Sequence, residues 1–157
     1  MWFFFLLSAV GFIASVLAHV VALGGVDLEE ISPAIRFLPV GIFLVWIPVV
    51  MLQKSLPPEA SWKARGPPKW LGLLMIYAFA FLFVSKALLS DGEVYHEHGK
   101  YVVKSHGNVT RQISEAEYHR HQRYDAAAVT GIGMPFYAAA MSMLASGLAA
   151  KREPRTR

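Results

Sequence analysis

Residues 114–148 read SEAEYHRHQRYDAAAVTGIGMPFYAAAMSMLASGL. The stretch opens with Ser114-Glu115-Ala116-Glu117. This is the S-x-x-E pattern of a capping box, which satisfies the first free amides of a helix. It closes with an apolar run over residues 126–148 that holds no charged side chain. Roughly 20 apolar residues in helical form cross a hydrocarbon core about 30 Å thick. The pattern predicts a helix that starts at Ser114 and can continue unbroken into a membrane span.

Three further runs qualify as spans, at about residues 2–23, 33–52 and 70–89. The composition agrees. Hydrophobic residues make up 55% and charged residues 17%, against about 45–50% and about 25% for a soluble domain. Mean hydropathy is +0.40. A soluble globule and a disordered tail are excluded. The runs are continuous rather than alternating, which excludes porin-like strands. No Lys or Arg precedes the first run, and it exceeds a signal-peptide core of about 7–15 residues. It reads as a retained anchor.

The fold expected is an all-α membrane protein. Residues 1–157 form a single integral membrane domain, a four-helix transmembrane bundle. A small β-hairpin and helix cap, residues 91–123, lies between the third and fourth helices. Orientation follows Lys and Arg in the short connections. Lys54, Lys63, Arg65 and Lys69 lie between spans two and three, and Lys151, Arg152, Arg155 and Arg157 follow span four. Both segments are expected on the cytoplasmic side, with both termini. The acidic loop after span one carries Asp27, Glu29 and Glu30. It is expected outside, as is the cap, which balances five basic against five acidic residues.

Within the cap, residues 94–98, 101–104 and 109–113 are rich in β-formers. His98-Gly99 and residues 105–108 separate them with turn chemistry. A two- or three-stranded meander is expected there. Ser32-Pro33 reads as the start of the second helix. Pro39 and Pro48 are expected inside that helix, each removing a backbone bond.

Five of the six histidines, His96, His98, His106, His119 and His121, fall in the 33 residues of the cap. His96 and His98 would share a strand face. Glu115 with His119, and Glu117 with His121, are spaced i,i+4 on a helix. Imidazole and carboxylate suit zinc or copper. The cluster would also sense pH near 6.5. A plain polar cap with His–Glu pairing explains the same residues, and no H-E-x-x-H spacing occurs.

His19 stands in the first span, about 25 Å along the helix from Trp2, and Lys86 about 24 Å from Trp70. Arg36 opens the second span and Asp125 precedes the fourth. All four are expected at one level near the outer interface, with Asp125 paired to Arg36 or Lys86. Charges there either pair or snorkel to water. Such a layer would suit a lipid headgroup, a quinone head or an ion. Ala127, Gly131, Ala138, Ser142 and Ser146 make a small-residue face that allows close helix approach.

Some chemistry is excluded. Cysteine is absent, so thiolate metal sites and thiol–disulfide exchange are too. No basic patch interleaved with aromatics points to nucleic acid. There is no nucleotide loop, G-x-S-x-G or zincin motif. One histidine within the spans cannot supply bis-histidine haem ligation.

The segments His98-Gly99-Lys100-Tyr101, Ser105-His106-Gly107 and Ile113-Ser114-Glu115-Ala116-Glu117-Tyr118 resemble a pattern in small uncharacterised bacterial four-helix inner-membrane proteins. The resemblance covers about 25 residues of the outer loop. It implies a bacterial inner-membrane setting and carries over no activity or site residue. The expected function is that of a non-catalytic accessory, assembly or protective protein. Its environment is the lipid bilayer, and its partner another membrane protein or further copies of itself. It would bind through the cap and the small-residue helix faces. The alternative is a metal- or pH-responsive membrane protein using the cap histidines.

Overall fold

The computed structural model describes residues 1–26, 28, 37–56, 66–88 and 92–152. Among them are four long helices and one small sheet. The helices are α1 (Trp2–Leu23), α2 (Leu38–Lys54), α3 (Lys69–Leu88) and α4 (Glu115–Arg152). The strands, between α3 and α4, are β1 (Glu93–Glu97), β2 (Lys100–Ser105) and β3 (Asn108–Ile113).

Three helices are long and apolar enough to cross a bilayer: Trp2–Leu23, Lys69–Ala87 and Glu115–Ala149. Of the second expected span the described part is α2, a shorter apolar helix. α2 has 17 residues, about 26 Å at 1.5 Å per residue, which falls short of the core thickness. Pro39 stands in its first turn rather than its interior, where its missing N–H breaks no ladder bond. Pro48 does lie inside the helix. The expected start at Ser32-Pro33 falls outside the described residues.

α4 is the hub. In its most apolar stretch 72% of residues are buried, against 22% in α1 and 17% in α3. α1 shows why. Its buried face carries Ser8, Ser15, Ala18, His19 and Ala22. Its exposed face carries Phe3, Leu6, Val10, Ile13, Leu17 and Val20. Large apolar groups face outward and small or polar ones inward, the reverse of a soluble helix. The pattern is compatible with a helix surrounded by lipid, where large side chains face outward and small ones let backbones approach. α3 buries the small Ala78 and Ser85 in the same way, together with the larger Leu71, at intervals of seven.

The helix directions alternate. Along α1 and α4 the chain pairs Met1 with Gly147, Gly11 with Tyr137, and His19 with Ala127, so they run antiparallel. α3 is also antiparallel to α4, with Leu71 against Ala138 and Ala139, and Lys86 against Asp125. α2 runs with α4. Trp46 Nε1 donates to Phe136 O at 3.1 Å, and Gln53 Nε2 to Met143 O at 2.6 Å.

The sheet is an antiparallel meander ordered β1-β2-β3. Two-residue loops, His98-Gly99 and His106-Gly107, join the strands. All four loop residues have positive φ, +50° and +74° in the first loop and +51° and +83° in the second. This is the type I′ signature, whose twist matches paired strands. A bulge lies between Val103 and Lys104 where β2 meets β3. Val103 and Ile113 are buried.

The start of α4 agrees with the sequence in one arm only. The Glu117 amide donates to Ser114 Oγ at 3.2 Å. The Glu117 carboxylate, which a full capping box would turn back toward Ser114, accepts from Arg111 Nη2 at 2.6 Å instead. From there α4 continues unbroken to Arg152 over 38 residues, about 57 Å. One helix is therefore both the axis of the bundle and the base of the cap.

Candidate functional site

Two of the four residues expected in a polar layer, Lys86 and Asp125, meet at the cap end of the bundle. Lys86 of α3 donates to Asp125 Oδ1 of α4 at 2.8 Å. Both side chains are about half exposed, 63% and 48%, so the pair is worth at most about 1 kcal/mol. Arg36, the other candidate partner, falls outside the described residues.

His19 does not join that pair. It is 3% exposed and lies deeper, between α3 and α4. Nδ1 is 2.8 Å from Ala127 O, and Nε2 is 2.6 Å from the Tyr77 hydroxyl. The carbonyl only accepts, so Nδ1 carries the proton and Tyr77 donates to Nε2. The ring meets Tyr77 and Phe81 edge to face, at 5.6 and 5.0 Å. Both ring nitrogens are engaged in ties between helices. One turn before it, the buried Ser15 Oγ has no hydrogen-bond partner among the described residues.

The small-residue face of α4 serves contacts within the chain. Gly131 lies against the His19 ring, Ala127 joins Ala18 and Ala22, and Ala138 packs with Leu71. Ser142 and Ser146 donate to carbonyls one turn back, Ala138 O and Ser142 O. Ser142 also lines an apolar crevice of about 250 Å³ with Phe5, Phe12 and Trp70.

The five cap histidines scatter. Among the described residues, no three His, Asp or Glu side chains gather to hold a metal ion. The zinc or copper expectation thus finds no ligand set there. His98 does not share a strand face with His96, because β1 ends at Glu97 and His98 begins the turn. His106 occupies the same position in the second turn. His96 stacks on Tyr101 at 4.5 Å, and Tyr101 meets Tyr118 at 4.9 Å. His119 Nε2 lies 3.9 Å from Glu115, the expected i,i+4 neighbour.

His121 is different. It is 4% exposed. Burial pushes its imidazole below the usual range, Glu117 raises it, Arg111 and Arg120 lower it further, and Asp125 raises it. Glu117 is held below the ordinary carboxylate range, chiefly by its hydrogen bond from Arg111. Tyr101 is raised, first by its hydrogen bond to Glu115.

Sequence reasoning missed three residues: Tyr77, Tyr137 and Arg111. The signal for the tyrosines was a phenol inside an apolar span, where a hydroxyl needs a partner. Arg111 gave no signal, since its partner is fixed by the register of β3. Comparison with known proteins finds no matching family model, no similar curated protein and no similar solved structure.

Proposed function

We propose that this chain is a non-catalytic accessory protein of a bacterial inner membrane, which presents its cap to another integral membrane protein. The observation that carries the reading is the continuity of α4. A sheet standing on the central helix of a bundle is a fixed platform rather than a hanging loop. Among the described residues β3 is an edge strand of that sheet, with Asn108 to Gln112 exposed, and a strand edge offers backbone groups to an extended partner segment. The helix faces with small residues are used within the chain, which leaves the cap as the binding element. The basic ends of α2 and α3, Lys54 and Lys69, lie away from the cap. Under the positive-inside rule that end faces the cytoplasm with both termini, and the cap faces out.

Site-specific photocrosslinking in native membranes tests this. Crosslinkers replace Val109 and Gln112 on β3, and Leu73 on the exposed face of α3. The expected result is one discrete heteromeric adduct from the β3 positions, absent from Leu73, and lost when Val109→Asp accompanies the Gln112 crosslinker. Equal adducts from all three positions, or adducts of this chain with itself alone, overturn the proposal.

A further inference from the structure

His121 sits between two ion pairs on one face of α4. Glu117 lies four residues before it and Asp125 four residues after, spacings that bring side chains together on a helix. Glu117 is bound to Arg111 of β3 at 2.6 Å, and Asp125 to Lys86 of α3 at 2.8 Å. The row Glu117–His121–Asp125 therefore ties the sheet to α4 at one end and α3 to α4 at the other. Among the described residues, the charged groups acting on His121 are Glu117, Arg120 and Asp125 of α4 and Arg111 of β3. Both carboxylates already have cationic partners. A neutral imidazole fits this arrangement, while an imidazolium arrives where both counter-charges are taken and water is excluded.

We propose that His121 is an acid-operated latch of the cap: when protonated it competes with Arg111 for Glu117 and loosens the sheet from α4. Glu117 stays ionised through the range concerned, because Arg111 holds its carboxyl below the usual value. A histidine released to water titrates near 6.5, and the docked one lower. The loosened state therefore binds more protons. Stability of the docked cap is complete above about pH 6.5 and declines as pH falls below it. The inference concerns the cap itself and holds whether or not the cap binds a partner.

The experiment is hydrogen exchange on the full chain in lipid nanodiscs at pH 7.5 and 5.5, corrected for intrinsic exchange rates. Expected is about a three- to tenfold loss of protection in β2 and β3 at pH 5.5. One pH unit of one proton's linkage is a tenfold change at most. Amides of α4 within the bundle, residues 134–144, are expected to keep theirs. His121→Asn is expected to abolish the pH dependence. Cap protection that is equal at both pH values overturns the latch, as does the same acid loss in His121→Asn. Should His121→Asn fail to fold, an NMR titration of His121 in the unaltered chain decides. Titration below the ordinary histidine value supports the latch, and titration at or above it overturns it.

Discussion

The ring of Tyr137 occupies the space that a side chain on Gly11 would need. A Cβ built on Gly11 falls well inside van der Waals contact with three ring carbons, and one on Gly41 collides with the phenol oxygen. The hydroxyl donates to Leu38 O at 3.0 Å. One side chain of α4 thereby fixes the approach of both α1 and α2. Gly11→Ala and Gly41→Ala should each destabilise the bundle by about 1–3 kcal/mol, the usual range for overpacking. Gly72 has open space around its Cβ position, and Gly72→Ala should leave the melting temperature in detergent unchanged or slightly raised. Equal behaviour of all three variants would show that Tyr137 does not set the helix spacing.

The bond from Tyr77 to His19 should be measurable as a coupling. Tyr77→Phe removes the donor to a buried ring nitrogen and should cost about 1 kcal/mol. In a His19→Phe background the same change should cost much less. A double-mutant cycle of unfolding free energies reads the difference. Additive losses would mean that the two residues act independently.

The turn histidines carry a backbone requirement. His98 and His106 adopt left-handed φ, which non-glycine residues reach at a cost of about 1–3 kcal/mol and β-branched ones at more. His98→Asn and His106→Gly should be neutral or stabilising, since both residues favour type I′ positions. His98→Val should lower cap stability by at least 1 kcal/mol, on the order expected for strained backbone. Exchange protection of β1 and β2 is the readout, and equal protection in the Asn and Val variants would refute the assignment.

The pair of Lys86 with Asp125 should prove weak. Both groups are about half open to solvent, so Asp125→Asn should lower stability by no more than about 1 kcal/mol. The loss should shrink at high salt, which screens exposed charges. A larger, salt-insensitive loss would place the pair in a drier setting than its exposure indicates.

The cap was the most legible part of the sequence. Its strands, its turns and the Ser114 helix start follow from local chemistry, and local chemistry is what a sequence displays directly. The level shared by Lys86 and Asp125 was legible too, because residue counting along a helix measures depth. The pairing across helices was not. Hydropathy marks Tyr77 and Tyr137 as members of apolar runs but does not say what faces them. Only the assembled bundle puts Gly11 and Gly41 around one phenol, and His19 beside the other. The arrangement of the cap histidines was not legible for a related reason. Spacing brought five imidazoles near one another along the chain, while the type I′ turns took two and burial took a third. The expected start of the second span at Ser32-Pro33 lies outside the described residues.

The central position of α4 bears on how the protein is made. α4 comes after the three helices that rest on it. Synthesis runs from the N-terminus, at about 5–20 residues per second. α1, α2 and α3 are thus synthesised before their common support exists. His19 must wait for a carbonyl acceptor 108 residues downstream. Until α4 emerges, the His19 imidazole of α1 lacks that partner. Assembly is therefore a late and concerted event. A chain interrupted before α4 would leave three helices without the element on which they pack.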